Sequence, residues 1–496
     1  VDKLATAGLN ACGMTLLTAH TSLTSRAGPP RPAGNRVARL AALLGFALAC
    51  AAAEPAPGPE VQVEAEENVY TYEDPQNGAG PMWCSGSTCL VRSQDRLFVS
   101  GMEVVKGAQP LNNCRWVLYE RGTNGWYRVR TSPFNLTREP CPLATTSDGR
   151  LFLSTHPTLA PGQPQGPSRS EVLVFRAADM SAPREVLVPE WQGKPQFTEH
   201  SYRSLATDAA RNELILFVYS SSPWAASWSL LDDAGLWSAR GELRWPWGAT
   251  YERPQPIRIA YPNVLLRNRA VHLCGVSDIV EPKSEWRAFK KQLTGRDWDY
   301  DFRRLFYTFS RDIRAGHFAD WVEVASREDT CGWIMPGDLW LDDENVVHLV
   351  WSERAIDERL RERFFPKARQ SHAINYARLR NGEIILRQTL ALAQEGVSEE
   401  IPSAPRFQIT PAGRLYVIYY VSGRNLQGQA VSENRLLEVL PDGTPSAAVR
   451  VPLQHPLNSY FTATPRAGSP LSNTLDMLGT RADTRLTISY ARVLIR

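Results

Sequence analysis

The chain lacks a net charge of any size. Its 55 Lys and Arg against 52 Asp and Glu leave a formal +3 over 496 residues. So even a balance sets up no global field to draw nucleic acid or an anionic membrane, and neither is expected as a partner. It also lacks an apolar run that could cross a bilayer, since residues 40–49 are too short for a spanning helix. No cysteine–histidine spacing of a zinc site and no phosphate-binding glycine loop occurs, so no catalytic metal or cofactor is expected. Asp299 and Asp301, in Trp298-Asp-Tyr-Asp301, are candidates for a structural calcium.

What the chain has in quantity is aromatic residues and turn formers: 15 Trp, 16 Tyr and 16 Phe beside 36 Pro and 33 Gly. That combination favours an all-β protein. Ahead of it, Arg36 and Arg39 precede the apolar residues 40–49 and then small residues, the pattern of a secretory signal. Residues 1–53 read as leader and signal peptide, the first 35 being an over-called start or an unusually long leader. Cys50 is a candidate for lipid attachment, although Ala47 stands where Leu is usual. The expected location is secreted, periplasmic or on the outer surface. Residues 54–68, rich in Pro, Ala and Glu, read as a disordered tether, and 69–496 as the folded domain. Export permits disulfides. Of the six cysteines beyond the signal, Cys84, Cys89, Cys114, Cys141, Cys274 and Cys331, the expected pair is Cys114 with Cys141. The alternative is that most are thiols acting as small buried hydrophobes.

From residue 69 a strand–turn–strand unit recurs every roughly 55–75 residues. In its clearest form, polar residues His200, Tyr202 and Arg203 lead into Leu205, a turn follows at 208–212, and a nearly all-apolar strand runs over 214–219. The unit returns around 83–101, 141–154, 256–274, 332–351, 404–421 and 460–479. A second hairpin follows each, as in Ile374-Asn-Tyr-Ala-Arg-Leu-Arg-Asn-Gly-Glu-Ile-Ile-Leu386. Four strands per unit, seven times, predicts a seven-bladed β-propeller of four-stranded antiparallel blades. The last unit lacks a fourth strand, which 69–73 is expected to supply. Two insertions, 279–303 and 353–371, fall between second and third strands, the latter reading as a short helix. They are expected on the face where the first strands begin. Lys290, Lys291, Arg361 and Lys367 there predict an electropositive face and salt-sensitive binding of an acidic polymer.

The hairpin from Ile374, the opening His200-Ser-Tyr-Arg-Ser-Leu and the ending Ala467-Gly-Ser-Pro-Leu-Ser-Asn-Thr-Leu-Asp-Met-Leu resemble the BNR-repeat, sialidase-like propellers. Within that group the chain looks nearest to seven-bladed polysaccharide lyases such as ulvan and rhamnose–glucuronate lyases. The sialidase Asp-box is not present; Ser147-Asp-Gly-Arg-Leu-Phe keeps only its turn, and Arg258 alone approaches the sialidase arginines. The resemblance implies a carbohydrate-active enzyme that cleaves a uronate-containing polysaccharide or oligosaccharide by β-elimination. Its alternatives are a glycoside hydrolase and a non-catalytic glycan binder.

A uronate lyase needs a base for the proton beside the carboxylate, a group that steadies the enolate-like charge, and an acid for the leaving oxygen. His200 and Tyr202, two apart, point the same way from a strand and fit base and acid. His156, after the second strand of the second unit, is expected near His200, and His372 on the same face. Arg253 is the expected carboxylate ligand, because guanidinium binds carboxylate bidentately, with Arg203 as a further contact. Tyr460, Trp333 and Trp224 are candidate sugar contacts. For hydrolysis, Glu139, Glu252, Glu353 and Glu400 are the available carboxylates. His272 and His348 read as core residues.

Overall fold

The computed structural model describes residues 56–496 except 84–85, 110, 133–135 and 183. The leader, the signal segment, Cys50 and Cys84 lie outside the described residues. Within them are seven four-stranded antiparallel sheets. Their first strands are Leu90–Ser93, Leu143–Thr145, Arg203–Asp208, Ile259–Arg267, Trp333–Leu341, Glu399–Ile409 and Leu457–Thr462. Each touches the next, and the seventh touches the first, so the inner strands close a ring. This is a seven-bladed β-propeller. Inner strands such as Arg203–Asp208 and Glu213–Ser221 are buried almost throughout, because neighbouring blades cover both faces. The expected core histidines are core: His272 Nδ1 lies 2.7 Å from the Tyr307 hydroxyl, and His348 bonds Tyr376 and Asp342.

The ring closes as expected, but with a longer strand. Val61–Thr71 pairs antiparallel with Thr487–Ile495 as the outer strand of blade 7. Much of the stretch read as a disordered tether is therefore ordered sheet. Its Val-Gln-Val-Glu-Ala-Glu alternates partly buried and exposed positions, which is how an outer strand with one wet face reads. The expected Cys114–Cys141 bridge is not formed: Cys114 is a thiol held by Asn77 and Asn113. Burial pushes it up to about 12.

The axis is occupied. The turn after the first strand of blade 7 forms a 3-10 element, Pro465–Ala467. From it the buried Arg466 bonds Asp338 of blade 5 at 2.9 Å, Asn263 of blade 4 at 2.9 Å and the Gly86 carbonyl ahead of blade 1 at 3.2 Å. Gly468 follows with φ +85°, and a Cβ there would stand 1.8 Å from the Thr145 carbonyl oxygen. Only glycine fits this contact.

Both insertions lie between second and third strands, on the face where inner strands begin. They carry helices Ser284–Thr294 and Glu358–Phe364. Trp286, Phe289, Leu360, Phe364 and Phe365 pack into a small core of their own. The cations expected to charge this face are matched. Lys290 is buried with Glu281 at 2.9 Å and Asp299 at 3.0 Å, Lys291 meets Asp297 at 2.5 Å, and Arg361 meets Glu395 at 2.5 Å. Of the four, Lys367 alone is exposed without an ion pair among the described residues. The expectation of a strongly positive face fails for this reason. The candidate calcium ligands are likewise engaged: Asp299 by Lys290 and Arg359, Asp301 by Ser277 and Arg303. Among the described residues no group of His, Cys, Asp and Glu is arranged to hold a metal. No helix among them is long and apolar enough to cross a membrane.

Candidate active site

The connection into blade 3 builds the centre of the site. A short ribbon pairs Phe197–Thr198 with Pro167–Ser168. It then turns tightly, the Ser201 hydroxyl accepting from the Thr198 amide and the Ser201 amide donating to the Thr198 carbonyl. This turn delivers His200 to the surface and sends Tyr202 and Arg203 inward; His200 and Tyr202 do not share a strand face as expected, because the strand begins only at Arg203 and both lie in the turn before it. His200 is 30% exposed, and its Nδ1 lies 2.7 Å from Glu139 Oε1. Glu139, on the connection from blade 1 to blade 2, is fully buried. Burial alone would raise its carboxyl, but the hydrogen bond and charge of His200, then Arg203 and Arg138, hold it below its ordinary value. An ionised carboxylate only accepts, so Nδ1 carries the proton and Nε2 is presented outward.

Arg203 lies beneath the pair. Its guanidinium reaches the Pro140 carbonyl at 2.7 Å and stands 3.9 Å from Glu139. Its Nε and Nη1 find no hydrogen-bond partner. His156, buried behind Arg203, has neither ring nitrogen bonded and packs edge-on to Phe197 at 5.6 Å. Burial, then the Arg203 charge, hold it well below the ordinary imidazole value, so His156 is neutral.

Aromatic rings surround His200. Tyr202 is 5.2 Å away and Trp83 6.3 Å, centroid to centroid. Burial keeps the Tyr202 proton on by raising it well above 10. Arg258 stands over the Tyr202 ring at 5.7 Å and pairs with Asp278 at 2.5 Å.

The structure thus brings together His200, Tyr202 and Arg203, with His156 behind them. Other expected residues lie elsewhere. Arg253 is exposed in the loop of the ribbon Trp247–Gly248 with Gln255–Pro256; Arg258 takes the place beside Tyr202. Tyr460 is fully buried between blades 6 and 7, because inner-strand side chains are covered by the next blade. His372 starts the third strand of blade 5 opposite Arg354, and Trp333 opens the first strand of that blade. Neither is in ring or hydrogen-bond contact with His200. Trp224, 46% exposed, opens the third strand of blade 3 opposite Ser221. Of the carboxylates, Glu353 is taken by Arg327 and Trp351, Glu400 by Arg435, and Glu252 caps Ser284. The sequence offers Glu139 as one of four carboxylates near this face and Arg258 only as the nearest approach to a sialidase arginine; neither is read there as a neighbour of His200 or Tyr202. Their shared signal is position: each lies just ahead of an inner strand, as His200 does.

A cavity of about 1220 Å³ opens on the opposite face, among the first turns of the blades. Its arginines are occupied: Arg92 by Asp476, Arg267 by Asp343, Arg380 by Glu344 and Arg414 by Glu438. Its lining holds an imidazole–carboxylate pair, the buried His348 with Asp342, but both His348 ring nitrogens are bonded, to Tyr376 and to Asp342.

No protein-family model and no curated protein matches the chain. Among solved structures it is similar to a Dyadobacter fermentans protein of unknown function, at 11% identity and TM-score 0.42 over 88% of this chain and 99% of that one. It is similar to an alpha-L-arabinofuranosidase of Fusarium graminearum solved with arabinobiose, at 11% and 0.37 over 71% and 93%. A puromycin-hydrolyzing peptidase of Mycobacterium tuberculosis gives 11% and 0.44 over 82% of this chain and 51% of its own. Similarity at this level adds nothing to the chemistry of the site.

Proposed function

We propose that the protein is an exported carbohydrate-active enzyme that cleaves a uronate-containing glycan by β-elimination, with His200 as base. The observation that carries this reading is the Glu139–His200 pair: a buried, ionised carboxylate that fixes the partly exposed imidazole through Nδ1 and leaves Nε2 for a substrate, with Trp83 and Tyr202 in ring contact beside it. Nε2 takes the proton from the carbon beside the substrate carboxylate. Electrons move toward the carboxylate, and Arg258, beside Tyr202, offsets the charge that builds there. The bond to the leaving oxygen breaks, a carbon–carbon double bond forms, and the Tyr202 phenol supplies the proton to that oxygen. Export rests on the signal-like segment alone.

Hydrolysis is the second reading. Glu139 and Asp278 both act electrostatically on Tyr202 and Tyr261, so two carboxylates, the residue type that glycoside hydrolysis uses, lie near the same aromatic pair. Against it, each is held by a cationic or imidazole partner, and Glu139 is biased to stay ionised rather than carry a proton. The test is a panel of uronate polysaccharides followed by ultraviolet absorption and by reducing ends. Reducing ends with matching absorption support elimination. Reducing ends without absorption establish hydrolysis. Neither, across the panel, removes the enzymatic reading.

A further inference from the structure

Tyr202 is a branch point for ring contacts. Along blade 3 it meets Tyr219 at 6.0 Å, Tyr219 meets Trp245 at 4.7 Å, and Trp245 meets Trp224 at 6.4 Å. Toward blade 4 it meets Tyr261 at 5.5 Å, Tyr261 meets Phe302 at 6.0 Å, and Phe302 meets Tyr300 at 6.2 Å. The inner members of both rows are buried or partly buried; the outer ends are not. Trp224 is 46% exposed, Tyr300 37%, and Trp247, two residues beyond Trp245, 60%. A lone exposed aromatic needs no explanation. Two rows that start at one ring beside His200 and each surface at an exposed aromatic do.

Resting on the reading of this site as glycan-cleaving, we propose that the exposed ends of the two rows, Trp224 and Tyr300, are sugar subsites on either side of the cleaved bond, each braced by the buried rings behind it. The enzyme then binds within a polymer and cuts internally. A sugar ring has an apolar CH face and a polar rim, so it stacks on an isolated aromatic while its hydroxyls and carboxylate reach polar groups beside it. Such groups lie on this face: His200, the Arg258–Asp278 pair, whose charges act on Tyr300, and Arg253, which is exposed and without an ion pair among the described residues. A protein partner would ask instead for contiguous apolar area with charge excluded from its centre.

The test compares the wild-type protein with Trp224→Ala and Tyr300→Ala, each checked for an unchanged Tm. Substrates are a uronate polymer and its oligosaccharides of increasing length. Viscosity of the polymer is expected to collapse while few bonds are cut, and kcat/KM to rise with chain length. Each variant is expected to lower the ratio of polymer to shortest-oligosaccharide kcat/KM by about three- to tenfold, the scale of one aromatic contact. Disaccharide release from the start with viscosity tracking bonds cut, or variants that slow long and short substrates in proportion, would overturn the proposal. Should the wild-type protein cut no glycan, polymer-containing native gels separate the two ideas. Retardation that weakens in both variants keeps the subsites and removes the chemistry; migration unaffected by the polymer removes the subsites as well.

Discussion

Two clusters on one face both bury carboxylate beside arginine, and they are built to opposite ends. In the insertions, Glu281 accepts from both terminal nitrogens of Arg303, at 2.7 and 2.8 Å, and from Lys290 at 2.9 Å. Its carboxyl is held down at about 2, where burial alone would raise it, chiefly by Arg303 and then Lys290. Every charge there faces a counter-charge, and two helices are stitched to blades 4 and 5 as a result. At the junction of blades 1, 2 and 3, Glu139 has one close partner, a half-buried imidazole, and Arg203 beneath keeps two nitrogens unbonded. The first network is matched charge for charge, with one Arg303 nitrogen, Nε, left unbonded, and its carboxylate has no capacity left for a substrate. The second keeps bonding capacity around its carboxylate, in two Arg203 nitrogens and both ring nitrogens of His156.

The sharpest way to break this contrast is His200→Ala. Loss of a positioned base is expected to lower turnover by about 10²–10⁴-fold, with a stability loss limited to about 1–3 kcal/mol from the buried Glu139 left without its close partner. Activity and melting measured together decide it: full activity takes His200 out of the chemistry, and a large fall in Tm makes it structural. Next is Arg303→Met, which takes the bidentate partner from the buried Glu281 and leaves it Lys290 alone as counter-charge; it should cost about 3–5 kcal/mol of stability while activity per folded molecule survives. Denaturant titration beside active-site kinetics checks both halves. Glu139→Gln keeps the acceptor and removes the charge. It should forfeit about 1.5–3 kcal/mol of transition-state stabilisation, the worth of a hydrogen bond to a charged group. Because the folded Glu139 is depressed, its contribution to stability is present above its ordinary value near 4.5 and is lost as pH falls through the lower folded value. Acid unfolding of the Gln variant should lack that component.

A smaller effect belongs to Asp301. Burial first, and then the Glu328 and Glu281 charges, outweigh Arg303 and push its carboxyl up to about 7. A raised carboxyl contributes stability that is fully present below its ordinary 3.8 and is lost as pH rises toward 7. Asp301→Asn should remove that decline, a change on the order of a degree or two in Tm between pH 4 and pH 7. The smallest is salt. With Lys290, Lys291 and Arg361 already paired, raising ionic strength should alter kcat/KM by less than about twofold, since few unpaired charges are left to screen; a steep salt dependence would restore the electropositive face.

The blades were legible because buried inner strands are written as apolar runs between turn residues, and position in a propeller follows from connection order. His200, Tyr202 and Arg203 were legible for the same reason: they are the polar lead-in to one such run. What sequence does not carry is pairing across blades. Nothing local tells that Lys290 faces inward to Glu281, or that Glu139 rather than Arg253 answers His200. The ribbon at Trp247–Gly248 turns Arg253 outward and brings Arg258 in, a choice made by two short strands. Tyr460 was misplaced because the start of an inner strand reads alike whether it meets solvent or the neighbouring blade. The N-terminal strand was hidden by composition, although its alternation was visible.

That strand sets a timetable. The Tyr72 hydroxyl bonds the Arg485 carbonyl across 413 residues of sequence, and Val61 faces Ile495 at the other end of the ladder. A chain made from its N-terminus produces the clasp first and its socket last. Six blades can form while the ring is still open, with the edge of Thr487–Ile495 arriving unpaired, and such long-range pairing is the slow kind. Trimming the protein at residue 69 would leave that edge bare for good, a template for another chain, so association of the trimmed protein would report the missing clasp directly.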